Sequence, residues 1–160
     1  MNIYGQAIQL EKDGAAYYEE QAAKHPNTAI SGVFTVLAEA ERKHEAAIIK
    51  YQEDKGFEEP EATQPLEKTF FATAADVDNE IFLVPRALDA YLTALEMERK
   101  SIEMYQELLD KSEDETEKAL LAWLVEEEKL HYDQIDKLAE MIRHGDDYVT
   151  HAMFANPREY

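Results

Sequence analysis

Residues 37–48 read LAEAERKHEAAI, and taken in alternating steps of three and four the chain around them gives Ile30, Phe34, Leu37, Glu41, His44, Ile48 and Tyr51. Such steps trace one face of an α-helix, and here that face is apolar except for a Glu-x-x-His at its middle. A carboxylate and an imidazole therefore stand where a core is expected. Residues 124–135, LVEEEKLHYDQI, do the same: the stripe Leu121, Leu124, Glu128, His131, Ile135, Leu138 is again interrupted by Glu-x-x-His.

The two stripes belong to a longer internal repeat. At an offset of 87 residues, Tyr4 maps to Tyr91, Ala7 to Ala94, Glu11 to Glu98, Tyr18 to Tyr105, Leu37 to Leu124, Glu41 to Glu128, His44 to His131 and Ile48 to Ile135. No insertion interrupts these matches, so two helical hairpins related by an approximate twofold axis are expected. The periodicity places four helices at roughly 2–24, 28–54, 85–111 and 115–144. The first pair turns at His25-Pro26-Asn27 and the second at Asp110-Lys111-Ser112-Glu113, both short enough to make neighbours antiparallel. Gly56 and Gly145 are the expected helix stops, and Pro85 suits a first helical position. The expected fold is all-α: a four-helix bundle over residues 1–145 with a long crossover at about 55–84, followed by a C-terminal tail, 146–160. A crossover running the length of the bundle would make the second and third helices parallel.

Composition agrees and removes several chemistries. The chain has 160 residues, 45% of them apolar, with only five Gly and five Pro, which favours one domain of long helices. It has no cysteine, which leaves oxygen and nitrogen as the metal-binding atoms. A net charge of −19 argues against nucleic acid, because nothing would neutralise a row of phosphates. No segment has the layout of a signal peptide or the length of a membrane span, so a soluble cytoplasmic protein is expected.

Most of the acids solvate outer helix faces; four do not. In the first and third helices the corresponding stripes carry Glu11 and Glu98 at their centres. Glu11 and Glu41 both lie 15 residues from Pro26, and Glu98 and Glu128 both lie 15 from Glu113. Each is therefore about 22 Å from its turn, and all four can meet at one level. Four buried carboxylates would either stay protonated or demand compensating cations, and no lysine or arginine lies on these stripes. Two divalent metals would balance them, with one imidazole ligand for each. The expected ligands are Glu11, Glu41, His44, Glu98, Glu128 and His131. Glu39, Glu126 and Glu127 fall off the stripes, and His25, His144 and His151 fall at turns or in the tail; none is assigned a ligand role. Trp123 reads as packing.

The segments LEKDGAAYYEEQA, LAEAERKHEAAI, LEMERKSIEMYQEL and LVEEEKLHYDQI together resemble the ferritin-like di-iron carboxylate superfamily, in particular the rubrerythrin group. One Glu from each of two helices plus Glu-x-x-His from the other two is the known pattern of that superfamily. The resemblance implies a di-iron site, with manganese or zinc as other occupants. It also implies an oxidoreductase reducing hydrogen peroxide or dioxygen, and a homodimer or larger homo-oligomer. Rubrerythrins usually carry a rubredoxin domain whose iron is held by cysteines; this chain has none, so a separate electron-donor protein is expected. Iron oxidation for storage and a non-redox metal-binding or interaction role are the two other functions the same residues would fit.

Tyr18 and Tyr105 are the remaining candidates for a part in the chemistry. Lying two turns beyond Glu11 and Glu98, they would hydrogen-bond carboxylates of adjacent helices, supply an electron, or serve simply as core aromatics. Ala7, Gly14, Ala94 and Ser101 flank the same glutamates, and their small size would leave room for metals or allow close helix packing.

Overall fold

The computed structural model describes residues 2–26, 28–61 and 85–144. Four helices account for most of them: α1 (Ile3–Lys24), α2 (Ala29–Asp54), α3 (Pro85–Lys111) and α4 (Glu115–Arg143). Their boundaries follow from local chemistry. The Asn2 side chain caps α1 by accepting from the Gly5 N–H at 2.7 Å, and Pro26 two residues past Lys24 prevents continuation. Thr28 caps α2 through Ser31, and Pro85 opens α3 as its position suggested. Asp114 caps α4, with Glu115 and Glu117 in its first turn, where the helix dipole favours negative charge.

One expected stop is displaced by a residue. The left-handed conformation that ends α2 falls on Lys55 (φ 58°, ψ 21°) and not on Gly56. The Lys55 N–H returns to the Tyr51 carbonyl at 2.8 Å, and its ammonium lies over the rings of Tyr51 and Tyr4, 5.0 and 5.9 Å from their centroids. Cation–π attraction helps offset the strain of a side chain in this region. Gly56 instead donates its N–H to Asp54. Gly145, the tail 146–160 and residues 62–84 of the expected crossover lie outside the described residues.

Side-chain contacts give the directions of the helices. Tyr18 reaches Glu98, while Tyr105 reaches back to Glu11, so α1 and α3 are antiparallel. Tyr51 at the end of α2 donates to Asp114 at the start of α4, and Tyr4 at the start of α1 donates to Glu117. Hence α2 and α3 run parallel, and the chain between Asp54 and Pro85 connects opposite ends of the bundle, as a long crossover requires.

The apolar core comes in two parts. One contains Ile30, Phe34, Leu37, Tyr91 and Leu138, the other Ile48, Tyr51, Leu120, Leu121 and Leu124. Glu11, Glu41, His44, Glu98, Glu128 and His131 are buried in the same interior. No described helix is long and apolar enough to cross a membrane.

Asp114 stabilises the end of the bundle opposite the α1–α2 turn, since one carboxylate oxygen accepts from both the Glu117 N–H (2.9 Å) and the Tyr51 hydroxyl (3.1 Å). Asp114→Ala removes a helix cap and strands a half-buried hydroxyl. A loss of about 1–2 kcal/mol is expected in urea unfolding of the metal-free chain, and Asp114→Asn, which keeps an accepting oxygen, should lose less.

Candidate metal centre

Each of the four helices delivers one glutamate to a common level, and α2 and α4 add a histidine one turn further on. The six side chains are between 0 and 4% exposed. They form two groups able to hold a metal ion, Glu11, Glu41, His44 and Glu128 in one and Glu41, Glu98, Glu128 and His131 in the other. Within each group the potential ligand atoms lie within 4.8 Å of one another. Glu41 and Glu128 belong to both. The structure thus brings together all six residues expected from the sequence, and His25 and His144 fall in neither group.

Both imidazoles turn Nδ1 inwards. His44 Nδ1 lies 2.8 Å from Glu128 Oε1 and 3.3 Å from Glu11 Oε2. His131 Nδ1 lies 3.8 Å from both Glu41 Oε1 and Glu98 Oε2. The two rings are nearly parallel, 5.6 Å between centroids and 22° between planes. In spite of this crowding, buried polar atoms of the cluster lack an aligned hydrogen-bond partner among the described residues: Glu11 Oε2, Glu41 Oε1, Glu98 Oε2, both Glu128 oxygens, both His44 nitrogens and His131 Nδ1. Native interiors satisfy such atoms, so their convergence points to an ion as the missing partner.

Tyr18 and Tyr105 each tie down a carboxylate of the other hairpin. Tyr18 donates to Glu98 Oε1 at 2.5 Å and Tyr105 to Glu11 Oε1. Each bond leaves the second oxygen facing a histidine, which fixes the carboxylate rotamer without using up its ligand atom. Both tyrosines are buried, and burial together with the neighbouring carboxylates raises their hydroxyls well above the ordinary range. They stay neutral donors.

Charge is shared unequally when protons are the only counter-ions. Burial raises Glu41 and Glu128 well above the usual carboxylate range, and the charges of the other glutamates push the same way. Burial also opposes ionisation of Glu11 and Glu98, but contacts with Glu41 and His44 hold Glu11 below its ordinary value. Glu128, His131 and Tyr18 likewise bring Glu98 to about 2. Burial disfavours the His44 cation, but the charge and contact of Glu11, the Glu127 carboxylate and the Glu41 charge together outweigh it and raise His44 well above the usual imidazole range. A metal ion bound here would displace protons from the cluster.

Small residues open the site on one side. A gap between α1 and α3, lined by Leu10, Gly14, Met97, Glu98 and Ser101, reaches Glu41 and has space of about 10 Å³, roughly one water molecule. A Cβ on Gly14 would stand 3.3 Å from Glu41 Oε2, so the missing side chain leaves that carboxylate its room. Ala7 and Ala94 pack into the two apolar parts of the core instead.

Two neighbours of His44 have a larger part than the stripe reading gave them. Glu127 Oε1 lies 3.6 Å from His44 Nε2, and the Trp123 ring stands edge-on to the imidazole at 5.2 Å and 87°. The nearby imidazole holds the Glu127 carboxyl below its ordinary value. Neither lies on the α4 stripe, because each meets α2 from the flank of its own helix. The available signal was a break in the repeat: the mates of Glu127 and Trp123 are Ala40 and Val36.

A family model described as Rubrerythrin matches residues 2–139, which include all four glutamates and both histidines. Comparison with curated proteins and with solved structures gives no match.

Proposed function

The chain belongs to the rubrerythrin family, and from that premise we propose that it is a di-iron oxidoreductase reducing hydrogen peroxide or dioxygen to water, with electrons from a donor centre outside these 160 residues. The observation that supports it best is the set of unpartnered buried oxygens and nitrogens converging in two groups that share Glu41 and Glu128. Four carboxylates balance two divalent ions, and oxygen with imidazole nitrogen is a donor set that iron accepts. Glu11 and His44 would hold one ion and Glu98 and His131 the other, with Glu41 and Glu128 common to both.

Bound as a pair, redox-active metals supply electrons two at a time for cleavage of an oxygen–oxygen bond. The protein supplies the surroundings. The apolar core on either side excludes bulk water, and Tyr18 and Tyr105 hold Glu98 and Glu11 with one oxygen turned to the site. The gap beside Gly14 and Ser101 suits a substrate no larger than peroxide or dioxygen. Consumption of peroxide also needs protons, two for each molecule reduced to two waters.

Iron-loaded protein supplied with a chemical reductant is expected to consume peroxide well above the rate of the same concentration of free iron. Consumption no faster than free iron would overturn the reading. Accumulation of iron far beyond two ions per chain would replace it with iron storage.

A further inference from the structure

His44 is wholly buried, and its two nitrogens meet different surroundings. Nδ1 faces the carboxylates of the cluster, whereas Nε2 points the other way and has no aligned hydrogen-bond partner. The carboxylate facing Nε2 is Glu127, its Oε1 at 3.6 Å and its side chain 21% exposed. An imidazole that gives one nitrogen to a metal keeps its proton on the other, and the group accepting that proton sets both tautomer and ring orientation. Glu127 is a partly exposed side chain with the freedom to close the remaining distance. Trp123, edge-on to the ring and backed by Phe57 at 5.5 Å, keeps the imidazole from swinging out.

Among the described residues the other half of the molecule lacks this arrangement. The repeat places Ala40 and Val36 where Glu127 and Trp123 stand, and neither side chain can accept a proton. The ligands thus follow the twofold relation, while the residues behind the two histidines do not.

We propose that Glu127 is a positioning residue that holds His44 with its proton on Nε2 and Nδ1 free to ligate, and that it thereby makes the two metal positions unequal. The inference rests on the two-metal reading of the site. It goes beyond that reading by giving a function to an acid that touches no reacting atom and to one of the positions at which the two motifs differ.

Zinc, which is redox-silent and diamagnetic, provides the test with the full chain. Titration of metal-free wild type with Zn²⁺ is expected to show two equivalents per chain. In Glu127→Ala one equivalent should weaken about 10–100-fold, the loss typical of an outer-shell partner, while the other is unchanged. Glu127→Gln, whose amide oxygen accepts the same proton, should restore most of the loss. Nitrogen-15 shifts of zinc-loaded wild type should show His44 ligated through Nδ1 and protonated at Nε2. Equal weakening of both equivalents, no weakening, a Gln variant that behaves like Ala, or His44 ligated through Nε2 would overturn the role of Glu127. A wild type that binds fewer than two zinc ions would overturn it together with the two-metal reading, whereas two ions in wild type and an unaffected Glu127→Ala would overturn the Glu127 role alone.

Discussion

Glu128→Ala is expected to leave the chain unable to hold a metal pair. Glu128 belongs to both candidate groups, so its loss takes one of four donors from each position and leaves three carboxylates to balance two divalent ions. Removal of an outer-shell partner alone weakens metal binding about 10–100-fold; loss of a shared ligand should exceed the upper figure at both positions. Glu41→Ala should behave alike, for the same reason. Glu11→Ala is the internal control, because Glu11 belongs to one group only and its loss should release one ion and spare the other. Elemental analysis after gel filtration of the metal-loaded variants checks all three. Two ions retained per chain by Glu128→Ala would remove Glu128 from the ligand set.

The bundle and its centre were largely legible in the sequence, because helical periodicity and burial act locally and leave a repeating trace. Glu41 and His44 stand out on an otherwise apolar face, and the offset of 87 residues repeats that exception in Glu128 and His131. Equal spacing from the two turns brought Glu11 and Glu98 to the same level. What periodicity does not encode is which residue of one helix meets which residue of another. Glu127 sits off its own stripe and touches His44 only because α4 lies beside α2, so a reading of α4 alone placed it on the surface. Trp123 was read as packing, which its contact with Phe57 bears out, but the imidazole on its other side was not visible. The Lys55 stop was missed because glycine is the usual left-handed residue, and the two tyrosine rings that favour lysine there, Tyr4 and Tyr51, come from different helices. For Tyr18 and Tyr105 the face was predictable but the partners were not; each reaches across to the opposite hairpin.

Metal removal is expected to have the largest effect on stability. Without metal, the interior holds four carboxylates whose mutual repulsion and burial force protons onto Glu41 and Glu128, a costly arrangement in a low-dielectric core. On the two-metal reading, the same oxygens would become ligands. An ion that binds only the folded chain adds about 4 kcal/mol when its free concentration is a thousandfold above its dissociation constant, so two add about 8 kcal/mol. For a chain of this size that corresponds to a rise in Tm of about 15–30 °C. Scanning calorimetry of iron-loaded protein before and after chelation reads the difference directly. Melting temperatures that agree within about 3 °C, less than 2 kcal/mol on the same scale, would show that the folded state does not depend on the ions.

The presence of two metals between these six side chains is tested most directly by crystallography of the iron-loaded protein at the iron absorption edge. Two anomalous peaks are expected in the bundle interior, one beside Glu11 and His44, the other beside Glu98 and His131, both within reach of Glu41 and Glu128. A single peak, or iron found only at the acidic surface, would contradict the two-metal centre.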